Sequence, residues 1–230
     1  MHRALIALLA TALVFVGATP ADTAPGTTVT RAADPSTSTV VVAGDSVVAG
    51  TYLPPGQTFA ALLGARLGYP VRSVARPGQR CWAGPDSLEA QWPSIVDAVP
   101  RPTTIVVHIE TNDVGAPGVS NQQLVDCWRF LYFDPQYGAV ARGIRVIPML
   151  IVPTAPTRTD MSSQRTFVNA WLPGFFGASA VADTVTPLAG ANGTWVQPSY
   201  CWDYYSGSGV HPSWLGVQGM VAYFPVGLIQ

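Results

Sequence analysis

The sequence contains no lysine: all 12 of its basic residues are arginine, set against 13 acidic ones for a net charge of −1. Charged residues are only 11% of the chain and form no block of one sign, which argues against nucleic acid or an anionic membrane surface as partner. Cysteine is scarce, with Cys81, Cys127 and Cys201 alone, and no two of them stand at a C-x-x-C spacing. A zinc site is therefore not expected. Histidine is equally sparse, with His2, His108 and His211. Any chemistry that needs an imidazole has little to choose from.

What is present begins with an export pattern. Arg3 precedes the apolar stretch Ala4 to Val16, which is too short to span a bilayer comfortably, and small residues follow. Residues 1–21 read as a signal peptide and residues 22–37, rich in Thr, Ser, Ala and Pro, as a flexible lead-in. A single folded domain is expected over residues 38–230, secreted or extracytoplasmic, with no stable membrane insertion after cleavage and monomeric. In an oxidising compartment three cysteines imply one disulfide and one spare thiol, and their spacing leaves all three pairings open.

Along that domain, apolar runs alternate with helical periodicity. Strands are expected at Val40 to Ala43, Val71 to Ala75, Thr103 to Ile109, Ile144 to Val152 (with Pro148 marking a bulge or an edge) and Ala180 to Asp183. Helices are expected over Gln57 to Leu67, Asp86 to Val99 with a break or restart at Pro93, Asn121 to Phe133, Tyr137 to Arg142, Thr159 to about Phe176 with Thr159-Asp160 as its cap, and Pro212 to about Tyr223. The alternation predicts an α/β fold with a parallel sheet covered on both faces. Each polar loop of interest follows a strand, so these loops gather at the carboxyl edge, where open α/β sheets bind ligands.

Ser46 sits at that edge in Gly44-Asp45-Ser46, directly after the first strand. A plain turn serine is the alternative reading. A hydroxyl nucleophile needs a base titrating near neutrality, which histidine supplies. His108 lies mid-strand and reads as a buried, hydrogen-bonded residue. His211, in Gly209-Val210-His211-Pro212 beyond the last strand, is the stronger candidate. Gly78 and Asn112, in the loops after the second and third strands, offer a backbone N–H and a side-chain amide to a tetrahedral oxyanion, beside the N–H of Ser46.

These residues resemble the SGNH hydrolases, also called GDSL esterases and lipases. Gly44-Asp45-Ser46 with Gly50, Gly78, Thr111-Asn112-Asp113 and His211-Pro212 match the family's motifs in order across nearly the whole domain. The resemblance implies a flavodoxin-like three-layer α/β/α sandwich with a five-stranded parallel sheet in the order 2-1-3-4-5. It implies Ser46 as nucleophile, His211 as base, and Gly78 and Asn112 in the oxyanion hole. Two positions depart from the pattern: Ser208 stands where the family has Asp three residues before the histidine, and Glu110 where it has Gly two residues before the asparagine. The group orienting His211 is then the main-chain carbonyl of Ser208 by preference, with its hydroxyl, Asp203 or Glu110 as alternatives. Loops that follow neighbouring strands favour Cys81–Cys127 as the disulfide.

The resulting expectation is a secreted serine esterase using neither metal nor cofactor, acting on short-chain acyl or carbohydrate acetyl esters first and lipid esters second. Trp82, Trp195, Trp202, Tyr204 and Trp214 are candidates to stack on sugars or line an acyl pocket. The alternatives are a non-catalytic carbohydrate- or cell-wall-binding module on the same fold, and an acyltransferase.

Overall fold

The computed structural model describes residues 39–229 except 83, 191, 192 and 206. The signal peptide and lead-in lie outside the described residues. Strand β1 (Val40–Gly44) has every residue buried because it runs through the middle of a parallel sheet. Its apolar side chains alternate between two cores. Val41 and Ala43 pack with Trp92 and Ile95 of α3 (Leu88–Val96), Leu124 and Trp128 of α4 (Asn121–Phe133) and Val168 of α6 (Thr159–Phe176). Val40 and Val42 pack with Phe59 and Leu63 of α2 (Phe59–Leu67) and Val217 and Met220 of α7 (Trp214–Tyr223). A continuous apolar run is what a strand covered on both faces requires.

The sheet order is β2-β1-β3-β4, with β2 at Arg72–Ser73, β3 at Thr104–His108 and β4 at Arg145–Pro148. Among the described residues four strands form it, not five. The segment expected as the fifth lies beside the extension of β4 and pairs with it in parallel through one bridge, Met149 with Ala182. Asp183 ends the pairing at once, because its carboxylate accepts from the N–H groups of Val185 and Thr186 and turns the chain away.

Several local expectations change. Helix α1 (Ser46–Ala49) starts on Ser46 itself, well before the helix expected near Gln57. Asp45 caps it by accepting from the N–H of Val47 at 3.0 Å. Helix α3 runs through Pro93, the sixth of its nine residues, without a break. Helix α6 has Arg158 at its N-cap with no side-chain cap, and Thr159-Asp160 form its first turn. Helix α7 is capped by Ser213, not opened by Pro212. A short helix, α5 (Ala139–Arg142), ends at Gly143 in the left-handed conformation. No helix among the described residues is long and apolar enough to cross a membrane.

Candidate active site

Gly44 sets the entrance to the site. Its φ is 139°, and a Cβ there would collide with the carbonyl of His108, which already accepts from the N–H of Asp45 at 3.1 Å. The chain therefore crosses tightly over β3 and delivers Ser46 into the first turn of α1. Asp45, fully buried, ties three pieces together. Its Oδ1 accepts from Val47 and lies 3.2 Å from Nδ1 of His108, and its Oδ2 accepts from the N–H of Thr111 at 3.2 Å. His108 is thus a fully buried residue at the end of β3, held against Asp45.

His211 reaches Ser46 from the opposite wall. Its Nε2 lies 3.0 Å from Ser46 Oγ, and its Nδ1 lies 2.8 Å from Asp203 Oδ2. With Nδ1–H donated to a carboxylate, Nε2 accepts from the serine hydroxyl. Asp203 Oδ1 also accepts from the main-chain N–H of His211 at 3.1 Å, and Oδ2 from the hydroxyl of Ser208 at 2.7 Å. Burial alone would raise the pKa of Asp203, but the bonds from His211 and Ser208, with a further one from Cys201 Sγ, hold it well below the usual carboxylate range. Burial and the neighbouring Asp203 carboxylate push the Cys201 thiol up to about 12, so this spare cysteine stays protonated.

The carboxylate is therefore present, displaced in sequence. The Ser208 carbonyl, preferred from sequence, accepts from Arg158 at 3.1 Å instead. Ser208 contributes its hydroxyl, which donates to Asp203 Oδ2 and also lies 3.1 Å from His211 Nδ1. Glu110, just beyond the end of β3, is fully buried, and its Oε2 accepts from Trp128 Nε1 at 3.0 Å rather than bonding His211.

The candidate oxyanion donors Gly78 and Asn112 sit on two adjoining loops. Gly78 has φ 74° in open space, so its backbone conformation and not crowding selects glycine. Asn112 donates one amide hydrogen to the carbonyl of Gln79 at 2.9 Å, which fixes which end of the amide is nitrogen and leaves a second hydrogen to give. Asp113, fully buried, accepts from Arg80 Nε at 3.1 Å and from the N–H of Cys81 at 2.8 Å. The disulfide Cys81–Cys127, with Cα atoms 6.1 Å apart, bolts the same loop to α4. Ser46, Gly78, Asn112 and His211 all line one cleft of about 550 Å³, together with Tyr52 and Asp160.

A serine on a tight strand-to-helix turn, paired with a histidine and a buried aspartate and facing glycine and asparagine donors, sits inside a matching sequence pattern. The GDSL-like lipase/acylhydrolase family model matches residues 42–218. The chain belongs to this family. As a family member it is an ester-hydrolysing serine hydrolase. Among solved structures it is similar to a protein of the G-D-S-L lipolytic family from Desulfitobacterium hafniense (18% identity, TM-score 0.64, 81% of this chain and 97% of that one). It is also similar to the psychrotrophic esterase EstA from Pseudoalteromonas (13%, 0.60, 83% and 98%). A third is a family two carbohydrate esterase from Clostridium thermocellum in complex with cellohexaose (14%, 0.56, 80% and 61%). A search of the curated proteins finds no significant match.

Within the family fold, the two departures have physical readings. Glu110 has φ 82°, a left-handed conformation that glycine adopts freely and glutamate does not. Of the aromatic residues singled out from sequence, Trp202 stacks on Tyr52, a residue of the cleft lining, with ring centroids 4.4 Å apart. Trp82 lines a separate depression with Glu89 and Gln123. Sequence reasoning missed Tyr52, and also the bridging parts of Asp45 and Asp113. The aspartate before Ser46 carries a legible N-cap signal. Nothing in the sequence marks Tyr52.

Proposed function

We propose that the enzyme hydrolyses carboxylic esters of short acyl chains, carbohydrate acetates among them and lipid esters second, through Ser46, His211 and Asp203. Ser46 Oγ attacks the acyl carbon while its proton passes to His211 Nε2. Asp203 holds the ring in the productive tautomer and stabilises the imidazolium. The tetrahedral oxyanion is held by the N–H groups of Ser46 and Gly78 and the free amide hydrogen of Asn112. His211 returns the proton to the leaving alcohol, and a water activated by the same nitrogen then releases the acid.

The observation that carries this reading is the unbroken chain Ser46 Oγ–His211 Nε2, His211 Nδ1–Asp203 Oδ2, at 3.0 and 2.8 Å. Small residues of the cleft lining, Gly115 and Ala116 among them, support short acyl groups. The N-terminal export pattern and the disulfide support a location outside the cytoplasm.

The test is hydrolysis of p-nitrophenyl acetate by purified wild-type and Ser46→Ala protein, with a phosphonate that labels reactive serines. Ser46→Ala should lose on the order of 10³-fold or more in turnover and all phosphonate labelling. Turnover within tenfold of wild type in the Ser46→Ala protein would refute the assignment.

A further inference from the structure

Tyr52 lines the cleft with His211, and Trp202 stacks on it from outside the lining. Tyr52 and Trp202 stack at 4.4 Å with 11° between their planes, yet remain 57% and 55% exposed. The Tyr52 and His211 rings also stand perpendicular to one another, with centroids 5.2 Å apart. Trp202 is tied to the same histidine through the backbone, its N–H donating to the His211 carbonyl at 2.8 Å. Tyr52 holds φ 73°, a left-handed conformation that strains a tyrosine backbone. A strained residue whose ring stays in water beside a reacting histidine is poor use of an aromatic side chain unless something covers it.

Three features indicate what covers it. The first is position. His211 delivers its proton to the leaving alcohol, whereas Gly78 and Asn112 face the acyl oxygen, so a surface fixed to His211 lies on the alcohol side. The second is shape, since a flat aromatic face suits a ring presenting aliphatic C–H groups. The third is the polar rim. Arg158 and Asp160, which both line the cleft, form a two-point pair, Nε to Oδ1 and Nη2 to Oδ2, each at 3.1 Å. The pair is neutral as a unit, and the carboxylate keeps lone pairs free for hydroxyl groups. An aromatic plate beside a neutral, hydrogen-bonding rim fits an uncharged sugar better than a fatty alcohol or a charged group.

We propose that Tyr52 and Trp202 form a subsite that stacks the sugar ring of an O-acylated neutral saccharide, whose hydroxyl is the leaving alcohol. The proposal rests on the hydrolytic reading above. Tyr52→Gly and Trp202→Ala are the variants to test. Glycine suits the positive φ at position 52, and Trp202 is over half exposed, so neither change should empty the core.

Steady-state hydrolysis is measured on O-acetylated xylotriose, p-nitrophenyl acetate and ethyl acetate. The ratio of kcat/KM for acetyl-xylotriose to that for ethyl acetate should fall at least tenfold in both variants, mainly through KM. A ratio that stays within twofold overturns the proposal. So does an equal fall for p-nitrophenyl acetate, which would mark a platform for aryl groups. Calorimetric titration of unacetylated xylotriose into Ser46→Ala protein keeps the two readings apart. Binding that disappears in Ser46→Ala/Tyr52→Gly supports the subsite even if wild type hydrolyses none of the esters. Active wild type with no xylotriose binding and an unchanged ratio removes the subsite while leaving the esterase.

Discussion

Asp203 shows how much one buried carboxylate decides. Its carboxyl is held low by four donors, two of them on His211, so it is ionised throughout the neutral range. Asp203→Asn keeps the shape but replaces an acceptor facing Nδ1 with an amide, and turnover should fall by roughly 10³- to 10⁴-fold with the protein folded. A loss under tenfold in steady-state kinetics would return the orienting role to a neutral group. Glu110 behaves in the opposite way. Burial first, then the nearby Asp113 and Asp45 carboxylates, raise its pKa well above the usual range against the bond from Trp128. A carboxyl with a raised folded pKa gives full stability only below its unfolded value of about 4.3, and that stability drains away as pH rises through the folded value. Glu110→Gln removes the titration. Its melting temperature should exceed that of wild type at pH 8, and the gap should narrow steadily toward pH 4.5 in a thermal-shift series. A gap independent of pH would mean that Glu110 does not titrate in this range.

At the scale of elements, the site depends on loops held by something other than their own sequence. The segment that carries Gly78 has no regular structure, yet Asn112 bonds the Gln79 carbonyl, Asp113 bonds Arg80 and Cys81, and the disulfide joins Cys81 to α4. The two cysteines are 46 residues apart, a loop for which chain entropy gives about 4 kcal/mol of stabilisation. Both are buried, so the cleaner probe is the Cys81→Ala/Cys127→Ala protein rather than a reductant. Its melting temperature should drop by roughly 10 °C. A drop of under 3 °C would show that hydrogen bonds alone hold the loop. Helix α1 makes the complementary point. Its four residues would not be helical in isolation, and it persists because Asp45 caps it while Val47 and Val48 are buried.

For the whole molecule, the family match at residues 42–218 is narrower than the folded unit. Thr39, just before β1, accepts from the N–H of Thr103 at 2.8 Å. Beyond residue 218, Met220, Val221 and Phe224 are buried in the core under α2, and Arg66 donates to the Phe224 carbonyl at 2.8 Å. A chain of residues 38–230 should therefore fold and hydrolyse p-nitrophenyl acetate within about twofold of the full chain, a difference under roughly 0.5 kcal/mol in barrier. A chain ended at Gln218 should fail to fold, because several large core side chains are lost together. Cooperative melting of the shorter chain in calorimetry would contradict this.

The sequence by itself determined the alternation of strands and helices, the first four strands, and the setting of Ser46, Gly78, Asn112 and His211 in loops beyond strand ends, while the strand order came with the family resemblance. Those features rest on local signals: apolar runs of strand length, turn residues that follow them, and a histidine beyond the last strand rather than within one. The tertiary structure alone decided that the fifth strand shrinks to a bridge. It alone brought Asp203, eight residues from His211, onto the imidazole in place of the Ser208 carbonyl. It alone set Tyr52 against Trp202, 150 positions along the chain. None of these follows from spacing. Each depends on how an irregular loop closes over a completed sheet, and the energy that fixes such a loop comes from partners distant in the chain.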